Sequence, residues 1–256
     1  MKKKPIIPII LFVAILLPTT LSACGVNPDG GSSEIGQFFN WFWNLIVELS
    51  SGMLNSLLIF VSTIIFSMPL GLLVCFARRS KFKVIELVTK FYISVMRGTP
   101  LMLQLLVVFF GPNLLFGISV TSDYRMYACI IGFSLNYAAY FAEIYRSGIE
   151  AVPKGHYEAA KVLGYTRQQT FMKIVFPQMV RHIVPPVTNE VITLVKDTSL
   201  AFALSVSEMF SLAKEAVARE SNIMPLFVAG LFYYLFNLIV SFAMGQLEKK
   251  MNYYSH

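Results

Sequence analysis

Four polar residues, Asn189, Glu190, Lys196 and Asp197, interrupt the otherwise apolar stretch HIVPPVTNEVITLVKDTSLAFALSV. An ionisable group at membrane depth costs a few kcal/mol, so it faces a cavity or a partner. On a helix, Glu190 and Asp197 share one face about 10 Å apart along the axis, and Lys196 points roughly 100° away from Asp197. Two carboxylates on a cavity wall suit a substrate ammonium group. The same charges also suit an internal ion-pair cluster that only fixes helix packing. Asn136 and Tyr137, in SLNYAAYFAEIY, pose the same choice between cavity contact and interhelical hydrogen bonding. Glu143 and Arg146, at i,i+3, read as a surface pair.

Beyond these residues the sequence holds little that resembles catalysis. There is no G-x-x-x-x-G-K-[ST] loop, and Gly-Lys occurs nowhere, so no phosphate cradle is encoded. H-E-x-x-H and G-x-S-x-G are also missing, and His156, His182 and His256 are isolated. Cys75 and Cys129 fall near opposite ends of apolar runs and read as packing residues, with no disulfide framework or metal site. A transport or anchoring protein is expected rather than an enzyme.

The elements that carry these residues follow from composition. Of 256 residues 56% are hydrophobic and 14% charged, with a mean hydropathy of +0.64, where soluble domains carry about 25% charge. Apolar runs cover residues 5–23, 53–76, 101–118, 126–145, 183–206 and 224–244. Backbone groups in lipid must be satisfied within the segment, so each run reads as a helix. The expected fold is an all-α multi-pass membrane protein with a five-helix core and an additional N-terminal hydrophobic segment.

The net charge of +7 raises the question of nucleic acid, and the placement of the cations answers it. Of 21 Lys and Arg, 17 lie at the N-terminus, between the second and third runs, between the fourth and fifth, and after the last. By the positive-inside rule both termini and the segment 150–180 are cytoplasmic. No nucleic-acid partner is implied.

Residues 1–25 have a basic start, an apolar centre and the tetrapeptide Leu21-Ser22-Ala23-Cys24, similar to an export signal with a lipobox. Two readings stand: lipidation at Cys24, or an uncleaved helix with an incidental cysteine. Residues 26–52 read as an extracellular polar linker and an interfacial helix bearing Trp41, Phe42, Leu45, Ile46 and Leu49 on one face. The charged stretch SLAKEAVARESN (211–222) reads as a helix on the same side, either docking a partner or forming a solvated cap. Residues 249–256 are a cytoplasmic tail.

The segment 150–180, EAVPKGHYEAAKVLGYTRQQTFMKIVFPQMV in its surroundings, predicts helix, tight turn, helix. Pro153 suits a first turn, and Gly164 a left-handed stop. Thr166 and Gln169 form a T-x-x-Q capping box for a second helix, which Pro177 limits. A solvated loop does not need paired caps. A membrane-anchored helix-turn-helix DNA-binding regulator would offer Arg167, Gln168, Gln169 and Lys173, but pinned within a few residues of a span.

The spacing Glu158-Ala159-Ala160, Gly164, Ile174, Pro177 resembles the E-A-A-x3-G-x9-I-x-L-P loop of binding-protein-dependent ABC importer permeases, with Phe176 in place of Leu. MRGTPLMLQL (96–105), YFAEIYRSGIEAVPKG (140–155) and NEVITLVKDTSL (189–200) are similar to the polar amino-acid subfamily, of the histidine, glutamine and arginine type. The resemblance covers about residues 50–248, with the permease domain at 53–248. It implies that Glu158, Ala159, Ala160, Gly164, Ile174 and Pro177 form a coupling helix docking on ABC ATPase subunits. ATP and Mg would be bound by that partner and no cofactor by this chain. It further implies a second permease subunit, the same chain or a paralogue, an extracellular amino-acid-binding protein, and a bacterial cytoplasmic membrane location among membrane lipids. Glu190, Asp197, Asn189 and Asn136 are the expected substrate contacts. An ion-coupled secondary transporter without an ATPase is the nearest alternative.

Overall fold

The computed structural model describes residues 32–118 and 121–252. The signal-like segment 1–25 with Cys24, the first part of the linker, and His256 lie outside the described residues. The described chain is helical: α1 Ser32–Arg78, α2 Lys83–Gly98, α3 Leu101–Phe116, α4 Tyr124–Glu150, α5 Lys154–Val162 and α6 Arg167–Thr170. A π-turn at Phe171–Val175 leads into α7 Phe176–Asp197, a 3₁₀ turn Thr198–Leu204, α8 Met209–Glu220 and α9 Met224–Asn252. The all-α multi-pass architecture expected from the apolar runs is the one adopted.

Among the described residues two helices, α1 and α9, are long and apolar enough to cross a membrane, and α2 with α3 makes a third if the bent pair is one span. The runs inside α4 and α7 are less apolar than continuous lipid contact requires. Phe133, Tyr137 and Phe141 of α4 are at most 2% exposed, so this helix is lined largely by protein. A helix surrounded by protein can carry Asn136, Glu143 and Arg146 without placing them in hydrocarbon.

The described chain divides into two compact units, residues 32–56 with 207–235, and 57–118 and 121–206 with 236–252. In the first, Leu45 and Leu49 of α1 pack on Met209, Ala213 and Ala216 of α8 and Met224, Val228 and Ala229 of α9. The segment expected to be a separate interfacial helix is an unbroken part of α1, and its face meets protein. Gly36 and Gly52 within it each cost about 1 kcal/mol relative to alanine and do not stop the helix. A Cβ at Gly52 would stand 2.8 Å from the Met209 backbone, so glycine permits this approach.

In the second unit α4 is central. A Cβ on Gly71 of α1 would lie 2.8 Å from Phe141 Cβ and 3.0 Å from the Ala138 carbonyl oxygen of α4. Helices α2 and α3 meet at a 114° bend. Thr99 precedes Pro100 and is therefore held extended, at φ −118° and ψ 151°. Gln104 stitches the bend: its amide nitrogen donates to Met96 O (2.9 Å), Thr99 O (3.1 Å) and Thr99 Oγ1 (2.8 Å). The run 101–118, expected as a helix, forms α3 and is one arm of an elbow whose other arm is α2.

Candidate functional site

The segment 153–178 is a capped projection. Helix α5 ends in a complete Schellman closure, with Gly164 N donating to Lys161 O (3.1 Å) and Tyr165 N to Ala160 O (3.0 Å). Gly164 carries the required positive φ of 76°. Thr166 Oγ1 accepts from Gln169 N (3.2 Å), and Gln169 Oε1 accepts from Thr166 N (2.9 Å), so the capping box is formed. Pro177 does not limit the second helix. The backbone continues through the π-turn, with Phe176 N donating to Phe171 O, and on to Asp197. Proline offers no N–H to the Lys173 carbonyl and crowds it; the widened turn before it absorbs both effects. A helix-turn-helix has no separate recognition helix here, since α6 spans only Arg167–Thr170 before merging with a long helix.

The projection's two alanines differ. Ala160 is fully buried, whereas Ala159 and Glu158 are exposed. Among the described residues no hydrogen bond or ion pair engages the Glu158 carboxylate. Val162 and Leu163 are 87% and 73% exposed at the tip, beside exposed Met172. Ile174 is half-buried and Pro177 exposed.

Helix α7 presents a polar stripe. His182, Asn189, Thr193 and Lys196 are all exposed, at spacings that put them on one face, and Glu190 is half-buried at its edge. Lys196 forms no ion pair with Glu190 or Asp197 within 4.0 Å, so the compact ion-pair cluster is not what the chain builds. Asp197 lies at the end of α7, where its Oδ2 accepts from Tyr137 Oη at 2.7 Å. Asn136 is 4% exposed, and its amide nitrogen donates to Met96 O (3.0 Å) and Gln104 Oε1 (2.9 Å). It therefore braces α4 against the elbow.

Sequence reasoning missed Arg97. It lies 4.0 Å from Glu143, stacks over Tyr140 at 5.3 Å from the ring centroid, and acts electrostatically on Glu190. Its place beside the elbow is fixed by Gly98-Thr99-Pro100, but its neighbours are more than forty residues away in sequence. Arg146 also exceeds the expected i,i+3 pair: it forks onto Glu143 (2.7 Å) and onto Glu150 one turn later.

On α8 the charges are used within the first unit. Arg219 donates to Glu48 Oε1 (3.1 Å) and Oε2 (2.8 Å) and to Glu220 (3.2 Å), while Glu220 accepts from Trp41 Nε1 (2.9 Å). Those hydrogen bonds, Glu48 first, raise the guanidinium pKa further. Glu208, 0% exposed, caps α8 by accepting from Phe210 N and Ser211 N, both at 2.7 Å, and also from Tyr233 Oη (2.9 Å).

Comparison with known proteins accords with this geometry. Residues 67–253 match the family described as binding-protein-dependent transport system inner membrane component. The chain is 36% identical over 219 residues to the L-cystine transport system permease protein TcyB of Bacillus subtilis, covering 83% of this chain and 92% of that protein. It is 36% identical over 201 residues to the arginine transport system permease protein ArtQ of the same organism, covering 78% and 90%. The crystal structure of an amino acid ABC transporter with histidines superimposes with a TM-score of 0.75 at 27% identity, over 83% of this chain and 98% of that one. The chain belongs to the binding-protein-dependent transport system inner membrane component family, as a multi-pass permease subunit of an ABC importer whose ATP is bound by a separate ATPase and whose cargo is brought by a binding protein.

Proposed function

We propose that the chain moves polar amino acids, as one of two permease subunits that face each other across the path. The polar stripe on α7 carries this reading. His182, Asn189, Thr193 and Lys196 on a membrane helix are stable only against water or a partner. A second permease, identical or paralogous, placed on this face encloses a polar path between the two stripes. Every free amino acid brings an ammonium and a carboxylate. Glu190 suits the first, and Arg97, whose charge already acts on Glu190, suits the second. Asn189 lines the path, while Asp197 and Asn136 hold its walls through Tyr137 and Gln104. The relatives named for cystine and arginine support the substrate class.

The projection 153–178 is the ATPase docking element. Glu158 and Ala159 meet the partner together with Val162 and Leu163; Ala160 and Ile174 seat the helix, and Gly164 and Pro177 shape its joint to α7. The cation distribution supports a place for it on the cytoplasmic side with the C-terminus, in a permease domain at 53–248 of a cytoplasmic membrane protein. Closure of the ATPases on ATP shifts the permease between its two access states because ATP binds those states unequally.

The test is uptake of radiolabelled arginine, cystine and glutamine by proteoliposomes holding the permease, its ATPase and the binding protein. ATP-dependent, vanadate-sensitive uptake of at least one is expected. Uptake without ATP that an ionophore abolishes would establish the ion-coupled alternative instead.

A further inference from the structure

The second unit has a cavity of about 510 Å³ at the start of α7 and the end of α9, within the size range of small-molecule sites. Helix α7 contributes Phe176, Pro177 and Val180, and α9 contributes Leu247 and Met251. Among the described residues, the charged side chains lining it are Arg181 and Lys250, both cations. No acidic residue among the described ones lines it.

Helix α9 is an apolar span that ends here, Met224–Met251. At such a position hydrocarbon gives way to lipid headgroups. Apolar walls with a doubly cationic rim match an amphiphile with an acyl chain and an anionic head. A soluble phosphate would leave Phe176, Val180 and Leu247 facing water, and a zwitterionic lipid would bring no net charge to two cations. Cationic pockets between membrane helices are a recognised way to hold anionic lipid.

We propose that this cavity binds one anionic phospholipid, its phosphate between Arg181 and Lys250 and a chain along Phe176, Val180 and Leu247. The five N–H donors of a guanidinium let Arg181 hold a phosphate oxygen in addition to a protein partner. Phe176 and Pro177 directly follow the π-turn, so the bound lipid stiffens the joint between the projection and α7. The inference rests on the chain being embedded in a membrane and is independent of the cargo.

The experiment uses the permease–ATPase complex in nanodiscs containing trace spin-labelled phosphatidylglycerol or phosphatidylcholine. Motional restriction of the label reports bound lipid. The wild-type complex should prefer phosphatidylglycerol on the order of tenfold, given about 1 kcal/mol per cation near anionic lipid. The Arg181→Gln/Lys250→Gln variant should bring that ratio close to one, while Lys249→Gln, which does not line the cavity, should leave it unchanged. Leu247→Trp puts a bulky indole across the apolar wall with both charges retained and should lower the preference severalfold, so it decides the matter if the double variant fails to assemble. Equal binding of the two lipids by wild type, an unchanged ratio in both cavity variants, or displacement of the label by millimolar inorganic phosphate would overturn the proposal. A complex that fails to import amino acids yet keeps the preference would count against the transport reading alone.

Discussion

Arg219 and Lys196 are cations on helices with carboxylates nearby in sequence, and they are used in opposite ways. Arg219 clamps α8 to α1 through Glu48, and Glu208 closes the same unit with both its carboxylate oxygens engaged. Lys196 stands exposed on α7 with no ion pair among the described residues, next to Asn189 and the half-buried Glu190. Charges whose hydrogen bonds are spent inside one unit hold a fold together, whereas a guanidinium such as Arg97, 4.0 Å from Glu143, has donors left over. Charges that sit at a polar stripe or a projection without such partners are the ones available to a ligand or another subunit. Glu158 belongs with Lys196 in this respect.

The comparison is broken most directly at the projection. Gly164→Asp should leave the protein inserted but cut ATP-dependent uptake by on the order of a hundredfold, because the side chain must adopt φ 76° and adds charge at the joint. Open space surrounds the site, so Gly164→Asn, which visits that region more readily, should keep most of the activity. Wild-type uptake with Asp would remove the projection from the mechanism. Glu190→Gln should raise the concentration for half-maximal uptake roughly tenfold, the loss of one charge-assisted contact worth about 1.5 kcal/mol. An unchanged concentration dependence would return Glu190 to a packing role.

The other side of the comparison predicts stability effects with transport intact. Glu208→Ala leaves two backbone N–H groups and the Tyr233 hydroxyl without their acceptor, so thermal unfolding of the purified permease should show a loss of about 2–4 kcal/mol. Normal stability would show that water replaces the cap. Arg219→Gln, at an exposed cluster, should produce the smallest change, near the limit of detection and vanishing at high salt. A large effect there would blur the division between the two kinds of charge.

What could be read from sequence was mostly local. Gly164, Thr166 and Gln169 act through bonds that span a few residues, and each adopts the conformation its type predicts. Pro177 was misleading because a proline interrupts a regular helix, whereas an enlarged turn one step earlier accommodates it. The bend at Thr99–Pro100 left a signal in the X-Pro pair that the hydropathy of residues 101–118 obscured. The pairing of Asp197 with Tyr137, and of Asn136 with Gln104, joins residues distant in the chain and has no local signature. For the same reason Arg97 was not seen as a site residue, and the buried Ala160 could not be told from the exposed Ala159.

The π-turn at Phe171–Val175 amounts to one surplus residue in an otherwise regular helix. Each residue of an α-helix advances the azimuth by about 100°. The surplus therefore sets the compass bearing of the projection relative to the stripe on α7. Deleting a single residue from this turn would leave both surfaces chemically intact and swing one past the other by more than a quarter of a revolution. Length here acts as an adjustment screw, and relatives that differ by one residue at this point would hold the same projection at a different heading.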